Sequence, residues 1–290
     1  MMDFAERIAA NAAAVERHLN LYIDGYEPQP VIDAMRYAVQ GGKRMRAYMV
    51  MESAAMFGIL PEQSIWPAAA IEAVHAYSLV HDDLPCMDDD DMRRGRPTVH
   101  KAWDQATAVL AGDALQTMGF ELVLNAQAGP AEVRAELART LAIASGAHGM
   151  VLGQALDIAA ESAETPLTLE QIEHLQNGKT GALIAWSATS GAIMAQQDIT
   201  PLLTYSKAVG LAFQIADDIL DVEGDEAKTG KRLNKDADAG KATFVSLLGL
   251  TGAKARARAL VDQAQEAISC YGNKAENLQD VARFAISREN

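Results

Sequence analysis

The chain has 290 residues, 49% of them hydrophobic, and carries a net charge of -14. Such length and apolar content exclude an unfolded polymer, and the acidic balance argues against a nucleic-acid partner, whose phosphates attract proteins with a lysine and arginine surplus. No run reaches the roughly 18 apolar residues of a membrane span, and the N-terminal "MMDFAERIAANAAAVERHL" has early acids and no apolar stretch behind a basic start, so the expectation is a soluble, cytoplasmic protein with no membrane span.

In chain order, apolar residues recur every three or four positions almost throughout, and no segment alternates strictly enough to read as a strand. The fold class expected is all-α. The periodicity predicts helices over 3–22, 30–40, 43–58, 66–84, 99–125, 130–159, 168–177, 180–196, 201–222, 241–250, 252–271 and 274–287. Gly41-Gly42, Gly95 to Pro97, Gly129-Pro130 and Pro166 punctuate them. Thr168 with Gln171 resembles a capping box, and Thr200-Pro201 an N-cap followed by proline at the first helical position. There is no linker or low-complexity stretch, and the helices are too long and apolar for a thin layer. They predict one domain over 1–290, a single large helical bundle. Cys86 and Cys270 are too few for a disulfide framework or a thiolate zinc site and read as reduced thiols.

Chemistry concentrates in "HDDLPCMDDDDMRRGR", His81 to Arg96. Aspartates occupy 82, 83, 88, 89, 90 and 91, and Arg93, Arg94 and Arg96 follow. Carboxylates so close repel one another unless a cation neutralises them, and guanidinium forks suit phosphate. A charged third party is implied. A weak echo, "AFQIADDILDVEGDEAKTGKR", follows later in the chain. There Gln214, Asp217, Asp218 and Asp221 stand at i, i+3, i+4 and i+7, on one helical stripe. His75 and Asp82, seven apart, likewise share a face. Stripes of this kind, if they face each other, line a cleft with carboxylates. Oxygen ligands without histidine or cysteine suit Mg²⁺, which completes its shell with water and substrate phosphates. Aspartates would then hold the metal, the metal a diphosphate, and nearby arginines and lysines the remaining oxygens.

Plainer readings stand beside these. Asp89 to Asp91 read mainly as a solvated loop, whereas Asp82 and Asp83 continue an apolar helix, where idle charge would be costly. Taken alone, His75 reads as a core histidine, Lys43 to Arg46 as a surface cluster, "KTG" at 179 as a turn and the methionines as core filling. An EF-hand reading of "DDDDMRRG" fails, because Arg93 occupies a ligand position and no bidentate glutamate follows.

With "GGKRMR", "DDLPCMDDDDMRRG", "NGKTG", "FQIADDILD" and "GKR" all in order, the sequence resembles the head-to-tail trans-isoprenyl diphosphate synthases over essentially its whole length, above all their bacterial C15 branch. The resemblance implies an isoprenoid-synthase bundle around a central catalytic cavity, a homodimer and Mg²⁺. It implies a transferase that joins isopentenyl diphosphate to dimethylallyl or geranyl diphosphate, giving mainly farnesyl diphosphate and pyrophosphate. It places Asp82, Asp88 and Asp217 on magnesium, with Asp83, Asp218 and Asp221 in support. Arg93, Lys179 and Lys231 match positions that hold the allylic diphosphate, and Lys43, Arg46, His75 and Arg94 the isopentenyl diphosphate site. Thr180 and Gln214 match positions near the developing cation, so catalysis falls to Arg93, Lys179, Thr180 and Gln214. Tyr77 and Ser78, five and four residues before Asp82, together with the two extra residues within Leu84 to Met87, imply a stop at C15.

The departures are Val245, where the family often has proline, and a tail "SREN" in which Arg288 is the sole cation. Three rivals remain: a C20 synthase, a class I terpene cyclase and a non-catalytic subunit. A cyclase has a different residue pattern at Leu220 and Asp221 and no use for a second diphosphate site, while a non-catalytic subunit tends to lose an aspartate motif.

Overall fold

A computed structural model of the chain describes residues 2–161, 165–223 and 243–287. Lys231 and Arg288, both named above, lie outside the described residues. The chain divides into two compact units, the first Met1–Ala138 with Ile193–Gln196 and the second Arg139–Ala192 with Gln197–Asn290. Both are helical, as expected.

In the first unit, α1 (Phe4–Ile23) opens on a capping box between Asp3 and Glu6 and buries Ile8, Val15, Leu19 and Ile23, one apolar stripe. Next come α2 (Pro30–Ala38), α3 (Met45–Met56) and α4 (Pro61–Asp82). α4 is the centre of this unit, buried without a break from Trp66 to Val74. A small hairpin follows, β1 (Met92–Arg93) paired antiparallel with β2 (Arg96–Pro97). Its turn is Arg94 at φ 52° and Gly95 at φ 72°, the left-handed pair that a two-residue hairpin loop requires. Then α5 (Val99–Ala102) leads to α6 (Gln105–Val123). α6 lies tightly along α4 because two of its residues have no side chain. A Cβ at Gly112 would strike the His81 ring, and one at Gly119 would sit 2.7 Å from Val74 Cγ2.

The unit boundary falls within α7 (Ala131–Ser145). In the second unit, α8 (Met150–Glu161) and α9 (Leu169–Gln176) precede a π-helical turn, Asn177–Gly181, which runs into α10 (Ala182–Met194). α11 (Thr200–Glu223) packs along α12 (Phe244–Ala267) and against α13 (Glu276–Ser287), where the buried Tyr205 hydroxyl donates to the Leu278 carbonyl at 2.6 Å.

Several expectations need correction. The helix expected at 66–84 begins at Pro61, where proline at the first position costs no bond, and it tolerates Pro67 in its second turn. The helix expected over 99–125 breaks at Trp103 (φ −120°, ψ −103°), and Asp104 restarts it by accepting from Thr107 N at 2.8 Å. The helix expected over 130–159 breaks between Ser145 and Met150, where Gly146 and Gly149 stand. The gap expected between 177 and 180 is the π turn, not a break. The expected break at 251 falls at Gly249 (φ 67°, ψ 160°). Thr168 and Gln171 do form a capping box, but Thr200 is itself the first helical residue of α11, and its N–H and hydroxyl donate to Asp198. Val245 lies one residue inside the start of α12, where proline is also tolerated, so its departure from the family leaves the helix start intact. The hairpin was not foreseen. No helix among the described residues is long and apolar enough to cross a membrane.

Candidate active site

The first aspartate motif caps α4. Asp82 is the last helical residue, Asp83 the C-cap, and the chain folds back so that Asp88 N donates to the Asp82 carbonyl at 2.8 Å and Asp89 N to the Leu84 carbonyl at 3.1 Å. The Leu84 to Met87 insert thus forms a turn that returns Asp88 to Asp82. Asp83 is only 3% exposed and accepts from Arg93 Nε and Nη2, each at 2.6 Å. Burial nevertheless raises its carboxyl above the usual range; Arg93 opposes that, while Asp90 and Asp88 add to it. One aspartate is therefore committed to the fold and registers its neighbours as like charge, although Asp90 itself lies 3.7 Å from Arg93 Nη2. Asp82 and Asp88 offer only oxygen, the donor set that a hard divalent cation takes.

Among the described residues, the group whose ligand atoms converge most closely, all within 4.8 Å, is Asp89, Asp91 and His100. Two of these were expected in a solvated loop, and His100 was not considered. Lys101 already sits 2.7 Å from an Asp91 oxygen and lowers its pKa, so this group carries its own cation.

A second constellation in the same unit is cationic. The loop before α3 supplies exposed Lys43 and buried Arg44, the first turn of α3 supplies half-buried Arg46, α4 supplies His75, and the hairpin supplies Arg93, Arg94 and Arg96. Arg94 donates to the carbonyls of Gln40 (3.3 Å) and Gly41 (3.1 Å), while Gly42 (φ 87°) leaves room for its guanidinium. Arg96 donates to Gln40 and lies 3.7 Å over the Tyr37 ring, a cation–π contact. Burial first, then Arg46, Arg94, Arg44 and Arg93, hold the His75 imidazole well below its ordinary value, so it is neutral near pH 7. Burial also lowers the Arg46 and Arg94 guanidinium values. Arg44 is paired with Glu72 and Arg93 with Asp83. The charge left over is positive, and the Arg46 Nε is buried without a hydrogen-bond partner, the electrostatic condition of an anion site.

The second unit builds its own cluster. The π turn places Lys179 and Thr180, both half-buried, and Lys179 Nζ lies 2.6 Å from Asp157 Oδ2 on α8. The turn can lie this close because Gly153 has no side chain: a Cβ there would strike the Lys179 backbone, and one at Gly178 would meet the Gly149 carbonyl at 3.2 Å. π turns occur frequently at functional positions. On α11, Gln214, Asp217 and Asp221 follow the predicted stripe, with Asp217 exposed. Asp218 has a further duty, its Oδ2 accepting from Phe244 N at 2.7 Å at the start of α12.

Tyr77 is buried and meets His81 edge-on, with ring centroids 5.8 Å apart. Burial raises its phenol pKa, Gln116 of α6 opposes the rise, and Asp82 adds to it. Ser78 donates to the His75 carbonyl at 2.9 Å, so its hydroxyl is turned back on its own helix.

Sequence reasoning missed Arg44, Glu72, Asp157 and the α12 contact of Asp218. Only the last left a trace, in the adjacency of two aspartates. Glu72 looks like a surface residue in "AIEAVHAYS", and its partners lie far back in the sequence.

The polyprenyl synthetase family model matches residues 28–285. The chain is 43% identical over 299 aligned positions to the farnesyl diphosphate synthase of Escherichia coli, covering 99% of each chain. It is 37% identical over 281 positions to a geranylgeranyl diphosphate synthase of Cyanophora paradoxa, covering 95% of this chain and 93% of that one. Among solved structures it is similar to an FPP/GFPP synthase from Zymomonas mobilis, with TM-score 0.90 and 44% identity, covering 97% of this chain and 98% of the other.

Proposed function

Because this chain belongs to the polyprenyl synthetase family, we propose that it is a chain-elongating prenyltransferase that adds isopentenyl diphosphate to dimethylallyl and geranyl diphosphate, with farnesyl diphosphate as main product. The observation that carries this reading is the surplus of guanidinium charge around a neutral His75, about two turns along α4 from an aspartate motif. Farnesyl diphosphate synthases among the relatives support the product. The family match runs through both compact units, which supports one polyprenyl synthase domain over 1–290.

In this reading Asp82, Asp88 and Asp217, supported by Asp83, Asp218 and Asp221, are ligands of Mg²⁺, which when bound neutralises a diphosphate and its developing negative charge. Arg93, Lys179 and Lys231 hold the allylic diphosphate, and their charge favours its departure as an anion. Lys43, Arg46, His75 and Arg94 hold isopentenyl diphosphate. A neutral imidazole among guanidiniums can offer one N–H to phosphate without adding repulsion between cations. The allylic C–O bond breaks and its electron pair leaves with pyrophosphate. The isopentenyl double bond supplies the pair for the new C–C bond, and loss of a proton restores an alkene. Thr180 and Gln214 contribute oxygen dipoles near the cation, and released pyrophosphate takes the proton. No side-chain nucleophile is needed.

Hydrophobic side chains exposed on α6 of the first unit (Val109, Leu110) and on α7 and α8 of the second (Ile143, Val151, Ile158) support a homodimer, and the cytoplasm is the proposed location. The test is a product assay with isopentenyl diphosphate and dimethylallyl, geranyl or farnesyl diphosphate in turn. Farnesyl diphosphate should accumulate from the first two and be extended poorly itself. Tyr77→Ala should shift products to C20 and longer, because a buried ring in the path of the tail acts as overpacking worth about 1–3 kcal/mol. Ready extension of farnesyl diphosphate by the wild type, or an unchanged distribution in Tyr77→Ala, would favour a C20 synthase.

A further inference from the structure

The first turn of α3 carries Arg46, with Lys43 just ahead of it, yet this turn has no cap of its own. Its N-cap residue is Arg44, held at φ 52° and making no side-chain cap bond. The missing acceptor comes from α4. Glu72, 2% exposed, receives Ala47 N on Oε1 at 3.0 Å, the position a capping side chain would fill. Its Oε2 lies 3.2 Å from Arg44 Nη1, and Arg44 also donates to the Val39 carbonyl. One buried carboxylate thus closes the helix start and anchors the loop entering it. It also acts electrostatically on the cations nearby, holding Arg46 and Arg94 toward their charged forms against burial. Glu72 precedes His75 by one helical turn, so the same face of α4 carries the clamp and the imidazole. From the other side, Arg94 fixes the loop through the Gln40 and Gly41 carbonyls.

We propose that Glu72 is a positioning residue for isopentenyl diphosphate recognition: acting through Arg44 and the Ala47 amide, it sets Lys43 and Arg46 in register with His75. The inference rests on the proposed function, which assigns those three residues to that substrate. It predicts a defect confined to one of two anions, which a general loss of folding would not produce. Glu72→Gln alone leaves buried Arg44 with only the longer 3.8 Å contact to the more exposed Glu16, and a buried charge that loses its close partner destabilises the fold. The double variant Glu72→Gln/Arg44→Gln removes both charges together and keeps an amide oxygen for Ala47 N.

Steady-state kinetics on the folded double variant should show KM for isopentenyl diphosphate raised about tenfold, a change of order one decade in transition-state binding. KM for geranyl diphosphate and kcat should stay within about twofold of wild type. Calorimetric titration with isopentenyl diphosphate alone should show the same weakening. Arg46→Ala is the control for the site itself. If it leaves KM for isopentenyl diphosphate unchanged, the site assignment fails and the Glu72 proposal with it. If Arg46→Ala raises that KM but the double variant changes neither KM, or lowers kcat with both KM values intact, Glu72 is only structural and the proposal is overturned.

Discussion

The two aspartate motifs differ in how far their charges are already used by the fold. In the first unit, Asp83 is buried against Arg93, Asp91 is held by Lys101, and Arg44 is sealed against Glu72, so several charges are already spent in pairs within the fold. In the second, Asp217 is exposed while its neighbour Asp218 holds the first amide of α12. A charge spent on holding a helix costs stability when removed, and a charge turned to solvent costs less of it. Adjacent residues of one motif can fall on opposite sides of that line.

The largest effect expected tests that line directly. Asp82→Ala and Asp217→Ala should each lower kcat about 10²–10³-fold at saturating magnesium, the scale of losing one preorganised electrostatic group. Asp218→Ala should also melt early, since a hydrogen bond to a charged acceptor contributes about 1.5–3 kcal/mol. Kinetics and thermal melts on the three variants decide it. Near-normal turnover in Asp82→Ala or Asp217→Ala would overturn the proposed metal-ligand role of that residue, and equal melting of Asp217→Ala and Asp218→Ala would erase the contrast.

Next in size is Gly153→Ala. The added methyl would strike the backbone of the π turn at Lys179, so α8 and the turn must separate. Overpacking of this kind costs about 1–3 kcal/mol, and displacement of Lys179 should lower activity with geranyl diphosphate. A variant that melts and turns over like wild type would show that the turn is not held by this contact. A smaller effect divides the substrates: Arg46→Ala should raise KM for isopentenyl diphosphate and Lys231→Ala that for the allylic partner, each about tenfold. Identical profiles would merge the two proposed anion sites.

How much of this could be read from the sequence follows from where each signal lies. The motifs were legible because their chemistry sits within a few residues: Asp82 to Arg94 in one loop and Gln214 to Asp221 on one stripe. Helix starts carried by a local cap were legible too, as at Thr168 and Gln171. Asp104, three residues before Thr107, offered the same signal and was passed over because the apolar period ran through Trp103. The helix expected from 66 starts at Pro61, a proline at the first helical position that carried the signal. Glu72 and Asp157 were not legible, because each acquires its meaning from a partner brought close by tertiary packing, Ala47 and Lys179 respectively. The π turn was read as a break because its glycines carry the same letters as a loop.

The smallest effect concerns His75 and separates the cationic cluster from the carboxylates in pH. Its imidazole faces Arg44 and Arg46 from the α3 side and Arg93 and Arg94 from the hairpin, with Glu72 on its own helix, and its folded pKa lies well below the unfolded value of 6.5. The sign follows from proton counts. Between the two values the unfolded chain binds the proton and the folded chain does not, so this group's contribution to stability is complete above about pH 6.5 and is lost as pH falls below it. His75→Gln cannot titrate, so the difference between wild type and variant should be flat above pH 7 and should narrow against wild type toward pH 5. His18, whose pKa is also lowered, is common to both proteins and cancels. An anion on the arginines would offset the repulsion felt by an imidazolium. Inorganic pyrophosphate at saturation should therefore shrink the pH-dependent part of the difference. Urea titrations at several pH values, with and without pyrophosphate, measure it. Parallel stability curves for wild type and His75→Gln would mean that the guanidiniums do not act on this imidazole. A pH-dependent difference that pyrophosphate leaves untouched would mean that the arginines act on it but that the anion binds elsewhere.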